Sequence, residues 1–451
     1  MIKQLAAIGM ALTSTAAFAA DLPSKKAEPV SQYVKVCTAY GDGFFYVPGS
    51  DTCLRVGGLV RADTYYVPQQ DQYKVTSGAK AIAVAGAGES TIGWETRARI
   101  ELDARTQTEY GTVRTYMAPR FSRSGGALAD VSQPASSGTQ NAGGSSLTVE
   151  SMFIQFAGFT VGAARDNFSL MPNNLYGSNQ HWASFVVQPK QVAYTAIIGG
   201  GLSATVAIQD PADTAVAPID GTGGTTYYQP AVARSLQFNG RVDYDQSWGS
   251  LAVVGAYRDA NAVDPTANVY NKSKNTYALG AGAKFKFGEN DTLYLVGAYA
   301  DGMSEYTGQF GSNKVSTFKR DIGGYQLNQP SLVYTSAGID TVKSWNVGAL
   351  EEHWWAPKWK QNVFASYASY DAPTSSAAKV WDGKSGFGDS KVWSVGTNIA
   401  FVPTKNFEVG VEGVYSSMKQ DVRYTLASST NIVTSESQGN WTGRLRAERR
   451  F

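Results

Sequence analysis

Residues 92–105 read IGWETRARIELDAR. In an extended chain Ile92, Trp94, Ala98, Ile100, Leu102 and Ala104 fall on one face and Glu95, Arg97, Arg99, Glu101, Asp103 and Arg105 on the other, because successive side chains of a strand point to opposite sides. A soluble sandwich alternates in the same way, so this strand fixes a register without choosing between water and lipid as its surroundings. The two-residue period returns in Leu236, Phe238, Val242 and Tyr244 against Gln237, Asn239, Arg241 and Asp243, and in Val409, Val411 and Tyr415 against Glu408 and Glu412. At the C-terminus Trp441, Leu445 and Phe451 alternate with Arg444, Arg446, Glu448 and Arg450. No stretch shows helical periodicity.

Working outward, the pattern predicts about sixteen strands, near 54–66, 91–105, 111–121, 147–157, 158–165, 191–199, 202–209, 234–245, 250–258, 276–287, 291–301, 342–350, 361–370, 391–401, 406–418 and 438–451, with lengths near those of tilted membrane strands. Mixed alternation around 147–165 is the mark of a bulge. The connections alternate in length. Short ones fall at Glu109–Gly111, Ala157–Gly158, Gly199–Gly201, Gln246–Gly249, Gly288–Asp291 and Pro403–Lys405, and long polar ones at 67–90, 122–146, 166–190, 210–233, 259–275, 302–341, 371–390 and 419–437. Loops sorted by parity are expected of an all-β, antiparallel transmembrane barrel with short periplasmic turns and long external loops. Glu351–Lys360 (EEHWWAPKWK) departs from this as too long for a tight turn, although Trp354, Trp355 and Trp359 suit an interfacial belt. Trp94, Tyr415 and Trp441 are further candidates for that belt.

A cationic side chain facing the lipid midplane costs roughly 2 to 4 kcal/mol, so the charged faces turn inward. The expected pore-lining residues are then Arg55, Arg61, Asp63, Glu95, Arg97, Arg99, Glu101, Asp103, Arg105, Arg114 and Arg120, while Val56, Val60, Ile100 and Leu102 meet lipid. A barrel this wide encloses a wet, charged channel rather than a packed core, and passage of solutes follows from that geometry.

Composition agrees. The 451 residues are 43% hydrophobic and only 17% charged, and the 47 glycines come with no collagen-like period, which suits strands and tight turns. A formal net charge of +2 provides no basic field for nucleic acid. Residues 1–20 (MIKQLAAIGMALTSTAAFAA) have the cationic start, apolar run and Ala17-Phe18-Ala19 cleavage signal of an export leader. No later run reaches the roughly 18 to 20 apolar residues of a spanning helix. Residues 21–53 form an N-terminal segment on the periplasmic side, beginning as a polar tether with Pro23 and Pro29, and residues 54–451 form the barrel. Cys37 and Cys53 in an exported chain read as a disulfide rather than a metal site, with two separate thiols as the alternative.

The run QYVKVCTAYGDGFFYVPGSDTCLRVGGLVRAD at 32–63 resembles the N-terminal signature of the alphaproteobacterial general porins. GTVRTYMAPRF at 111–121, MFIQFAGFTVG at 152–162, SWGSLAVVGAY at 247–257 and the arginine-rich ending extend the resemblance over essentially the whole mature chain. Members of that family are sixteen-stranded homotrimeric channels whose third external loop folds inward as a constriction. The resemblance implies that 166–190 is that loop and that Phe451 is a signal to the outer-membrane assembly machinery. Family members often place several carboxylates in this loop. Here Asp166 is its one acid, beside Asn167, Asn173, Asn174, Asn179 and Gln180, with Lys190 at its end. Facing the wall of arginines, such a loop implies a ring of cations and a weak preference for anions.

Catalysis finds no support in the residues. His181 and His353 lack a serine and an orienting carboxylate at recognisable spacing, and the glycines at 41–43, 199–201 and 221–224 have no phosphate-loop context. No cofactor or metal is implied. The expected function is passive diffusion of small hydrophilic solutes and ions across the outer membrane, its lipid being the surrounding partner. A substrate-specific sugar or oligosaccharide channel and a plugged structural or adhesive barrel are the alternatives.

Overall fold

The computed structural model describes residues 35–67, 73–77, 80–85, 91–126, 144–170, 175–176, 188–211, 219–220, 229–230, 235–264, 269–308, 321–322, 325–326, 331–335, 338–373, 385–426, 429–434 and 438–451. The leader, the tether, Asn173, Asn174, Asn179 and His181 lie outside them. Sixteen strands form one closed antiparallel barrel. In chain order they are β1 Cys53–Val67, β2 Thr91–Thr108, β3 Gly111–Gly126, β4 Gly144–Phe156, β5 Phe159–Ala163, β6 Lys190–Gly199, β7 Leu202–Gln209 and β8 Gln237–Gln246. There follow β9 Gly249–Asp264, β10 Val269–Phe287, β11 Asp291–Asp301, β12 Lys343–Ala356, β13 Trp359–Asp371, β14 Ser385–Thr404, β15 Phe407–Leu426 and β16 Gln438–Arg450. Each pairs with its sequence neighbours, and β16 returns to β1 with Leu59 opposite Arg450 and Tyr66 opposite Gly443. Closure leaves no edge strand, which matters in lipid because unpaired backbone groups there find no water.

All sixteen predicted strands occur, several of them longer than expected. The stretch Glu351–Lys360 is not a loop, because β12 and β13 run on to a two-residue turn at 357–358. Likewise most of 259–275 continues β9 and β10, and only 265–268 separate them. Tight turns therefore gather at one end, the turn end. Ala157 (φ 48°) and Gly158 (φ 86°) are both left-handed, the geometry that matches a two-residue hairpin to the twist of its strands.

Even positions of β1 and β2 face outward, leaving Val60, Ile92, Trp94 and Ile100 exposed, while the odd, charged positions turn in. The mixed alternation near 147–165 is a bulge at Glu150. Pro119 pairs with Val149 and Ala118 with Ser151, so Glu150 is the extra residue. Leu147 and Val149 face out on odd positions before it, Met152 and Ile154 on even positions after it. The outward rims carry aromatic clusters, including Trp393, Tyr415 and Trp441 with ring centroids 5.2 Å apart in sequence, and Trp359 with Phe401 at 5.0 Å. No helix among the described residues is long and apolar enough to cross a membrane.

The interior is not uniformly wet and charged. Inward positions of β9 to β15 supply Val254, Ala256, Ala278, Val296, Ala298, Ala300, Leu350, Phe364 and Val414 to a buried apolar cluster. It packs around chain that enters the barrel.

Candidate functional site

The opposite side of the interior, β1 to β4 with β16, is a wall of paired charge. Asp103 is 1% exposed and receives Arg105 and Arg114 bidentately at 2.9 to 3.0 Å, with Arg55 at 3.7 Å. The bulged Glu150 accepts from Arg120 at 2.6 Å and from Arg99 at 3.2 Å, and Arg99 also binds Glu101. Arg97 pairs with Glu95 at 2.9 Å. Two further pairs bridge the seam where the barrel closes, Arg61 to Glu448 at 2.5 Å and Arg446 to Asp63 at 2.7 and 3.0 Å. All the arginines predicted to line the interior do face it. Instead of a bare ring of cations they form a ladder of charge-assisted hydrogen bonds. Glu150, Arg446 and Glu448 belong to it, and Arg444 lies over the Tyr65 ring at 3.9 Å.

The segment between β5 and β6 runs into the barrel. Phe168 is buried, stacks on Tyr306 at 4.1 Å and fills the space left by Gly280, where a Cβ would come within 2.9 Å of its ring. Farther along, Tyr176 reaches the far wall: its N–H donates to Glu412 at 2.7 Å, its carbonyl accepts from Arg446 at 2.8 Å, and the Arg446 guanidinium lies 4.5 Å from its ring centre. Asp166 does not face the arginine wall. Its carboxylate accepts from the Phe168 N–H at 3.0 Å, Gln209 at 3.2 Å and Asn239 at 3.0 Å. Burial pushes that carboxyl above the usual carboxylate range, against the pull of these bonds. Asn167 lies at the root of the segment, where its carbonyl accepts from Arg241 at 2.7 Å. Lys190 is the first residue of β6, exposed on an outward-facing position and paired with Asp210 at 2.8 Å.

A second inward turn was not foreseen. After β11 the chain folds over Met303–Thr307, all buried, and Glu305 binds Arg258 at 3.0 Å and Ser331 at 2.7 Å. Gln237 links Gln209 to the Tyr306 hydroxyl, so the two inward segments share one polar cluster. Nothing in the local pattern of SEYT marks it, because its partners come from distant strands.

At the turn end, Cys37 and Cys53 form a disulfide with Cα atoms 6.0 Å apart, and both are buried with Phe44. Arg55 and Arg105 lie over the Phe44 ring at 5.2 and 4.9 Å, so the disulfide-clamped segment seats on the same cations that Asp103 holds. Phe451 exchanges backbone hydrogen bonds with Gly58 in both directions at 3.1 Å. Asp291, Glu351 and His353 meet on the outward face near this end, with His353 Nδ1 2.5 Å from Asp291.

A closed sixteen-stranded barrel, apolar outside and charged within, defines an outer-membrane channel protein. Residues 21–444 match the Porin subfamily, and the chain belongs to that family. It is similar to Porin Omp2b of Brucella neotomae, 29% identical over 330 residues that span 64% of this chain and 82% of that one. Porin Omp2b of Brucella abortus (strain 2308) is 31% identical over 259 residues, 54% of this chain and 62% of that protein. Among solved structures the outer membrane channel DcaP of Acinetobacter baumannii superposes with a TM-score of 0.59 at 15% identity, over 90% of this chain and 99% of that one, a likeness of fold. The chain is an outer-membrane porin, a passive channel of the Gram-negative envelope.

Proposed function

We propose that small hydrophilic solutes and ions cross between the inward segment 164–189, as constriction, and the arginine wall of β1 to β4 and β16, selected by size and charge without energy coupling or catalysis. The observation that carries this is the reach of one segment across the interior, from Phe168 against Gly280 to Tyr176 against Glu412 and Arg446. Charge in the ladder is unequally shared, since Asp103 serves three arginines and Glu150 two. That surplus supports a weak preference for anions. Membership of the porin family supports assembly as a homotrimer. The leader ending at Ala20 directs export, and Phe451 addresses the assembly machinery. Planar-bilayer recording tests the proposal: open steps of nanosiemens scale with a reversal potential of anionic sign are expected, and clear cation preference or absence of current would overturn it.

A further inference from the structure

Outward positions of β12 read, from the loop end to the turn end, Trp345, Val347, Ala349, Glu351, His353 and Trp355. Both tryptophans are exposed at opposite ends of this row, Trp345 against Tyr367 and Trp355 beside the turn, where the girdle residues of a membrane barrel belong. Glu351 and His353 therefore fall inside the span that the tryptophans bracket. In register with Glu351 stand Leu293 on β11 and Val363 on β13, a poor setting for an ionised carboxylate, which hydrocarbon penalises unless it is paired. The acids of the interior differ, since Asp103, Glu150 and Glu448 each hold arginines. Among the described residues no lysine or arginine pairs with Glu351 or Asp291. Asp291 lies directly across from His353 on β11, with its Oδ1 2.5 Å from His353 Nδ1. One donor atom from each of Asp291, Glu351 and His353 lies within 4.8 Å of the other two. The imidazole is steadied as well: Trp355 meets it edge-on with ring centroids 4.4 Å apart, and the Trp355 indole N–H donates to Gln361 at 2.9 Å. Neighbouring strands of a closed barrel thus hold two carboxylates and one imidazole together on the outer surface.

We infer that Asp291, Glu351 and His353 bind a divalent transition-metal ion of the zinc class on the outside of the barrel, near its turn end. Two carboxylate oxygens and one imidazole nitrogen are a ligand set that such ions accept, with the remaining position open to water. Donor atoms around a zinc ion bound at about 2 Å sit roughly 3 to 4 Å apart, so side-chain rotation alone closes the present spacing. The imidazole selects against Mg²⁺ and Ca²⁺, which take oxygen ligands. The ion offsets two carboxylates that would otherwise face lipid, and it ties β11 to β12. The inference stands apart from the solute path. Its test is isothermal titration calorimetry of the full processed protein, folded into phosphatidylcholine vesicles, with zinc chloride against a large excess of Mg²⁺. Wild type is expected to take up one zinc ion per chain that Mg²⁺ does not displace. His353→Ala and Glu351→Gln each weaken this about tenfold or more, and His181→Ala, at the other histidine, leaves it unchanged. Zinc also raises the temperature at which the heat-modifiable folded band disappears in wild type and not in Glu351→Gln. Displacement by Mg²⁺, or uptake lost in Glu351→Gln but unchanged in His353→Ala, means attraction by charge alone and overturns the inference. Absence of uptake, or its loss in His181→Ala, overturns it too. Should His353→Ala fail to insert, His353→Gln decides in the same way, because its amide keeps a hydrogen-bonding partner for Asp291 and is a poor zinc ligand.

Discussion

Asp103 is nearly buried and meets three guanidiniums, so its single charge offsets part of the positive field at the turn end of the arginine wall. Replacing it with Asn keeps the shape and removes the charge. Asp103→Asn is expected to raise the anion-to-cation permeability ratio, read as a shift of reversal potential in a salt gradient. It should also lower stability by about 1 to 3 kcal/mol, because the four charge-assisted hydrogen bonds from Arg105 and Arg114 lose their acceptor charge. An unchanged reversal potential would mean that this wall does not face the ion path. The complementary substitution lies on the opposite face of the same strand. Ile100 is exposed on the outward face, and Ile100→Arg is expected to cost roughly 2 to 4 kcal/mol in equilibrium urea unfolding from lipid bilayers, whereas Arg on an inward position carries no such cost.

Elements show where the sequence was legible and where it stopped. Alternation is a property of neighbours along the chain, so the two faces of Ile92–Arg105, the sixteen strands and the parity of their connections could be read from residues a few positions apart. The bulge left only a trace, the change from Leu147 and Val149 to Met152 and Ile154 as the outward set. Deleting Glu150 would leave one unbroken alternation with Leu147, Val149, Met152 and Ile154 all still outward, so the deletion is expected to keep the heat-modifiable folded band on gels. Glu150→Gln, which only releases Arg99 and Arg120, should still fold. What the sequence could not show was pairing across long separations. Arg61 and Glu448, or Phe168 and Tyr306, meet only because the barrel closes and two segments turn inward. The resemblance placed the first of these segments; nothing local to Met303–Thr307 placed the second. Phe168→Ala removes the ring that stacks on Tyr306 and packs against Gly280, and the open current is expected to become larger and noisier as the segment loosens; an identical trace would detach that segment from the constriction.

At the scale of the whole molecule the chain divides its interior. One side is an apolar bed holding two inward segments, and the other is a ladder of paired charge. The route proposed for solutes is bounded by side chains whose alternate neighbours face outward. Both native cysteines are joined in the disulfide, so a cysteine introduced elsewhere is the single free thiol. Cysteines placed in turn at 97, 98, 99, 100, 101 and 102 of β2, with channel current recorded while a charged, membrane-impermeant thiol reagent is added, test the central claim directly. Current should step at 97, 99 and 101 and stay constant at 98, 100 and 102. Modification without regard to parity, or no current change at any inward position, would contradict it.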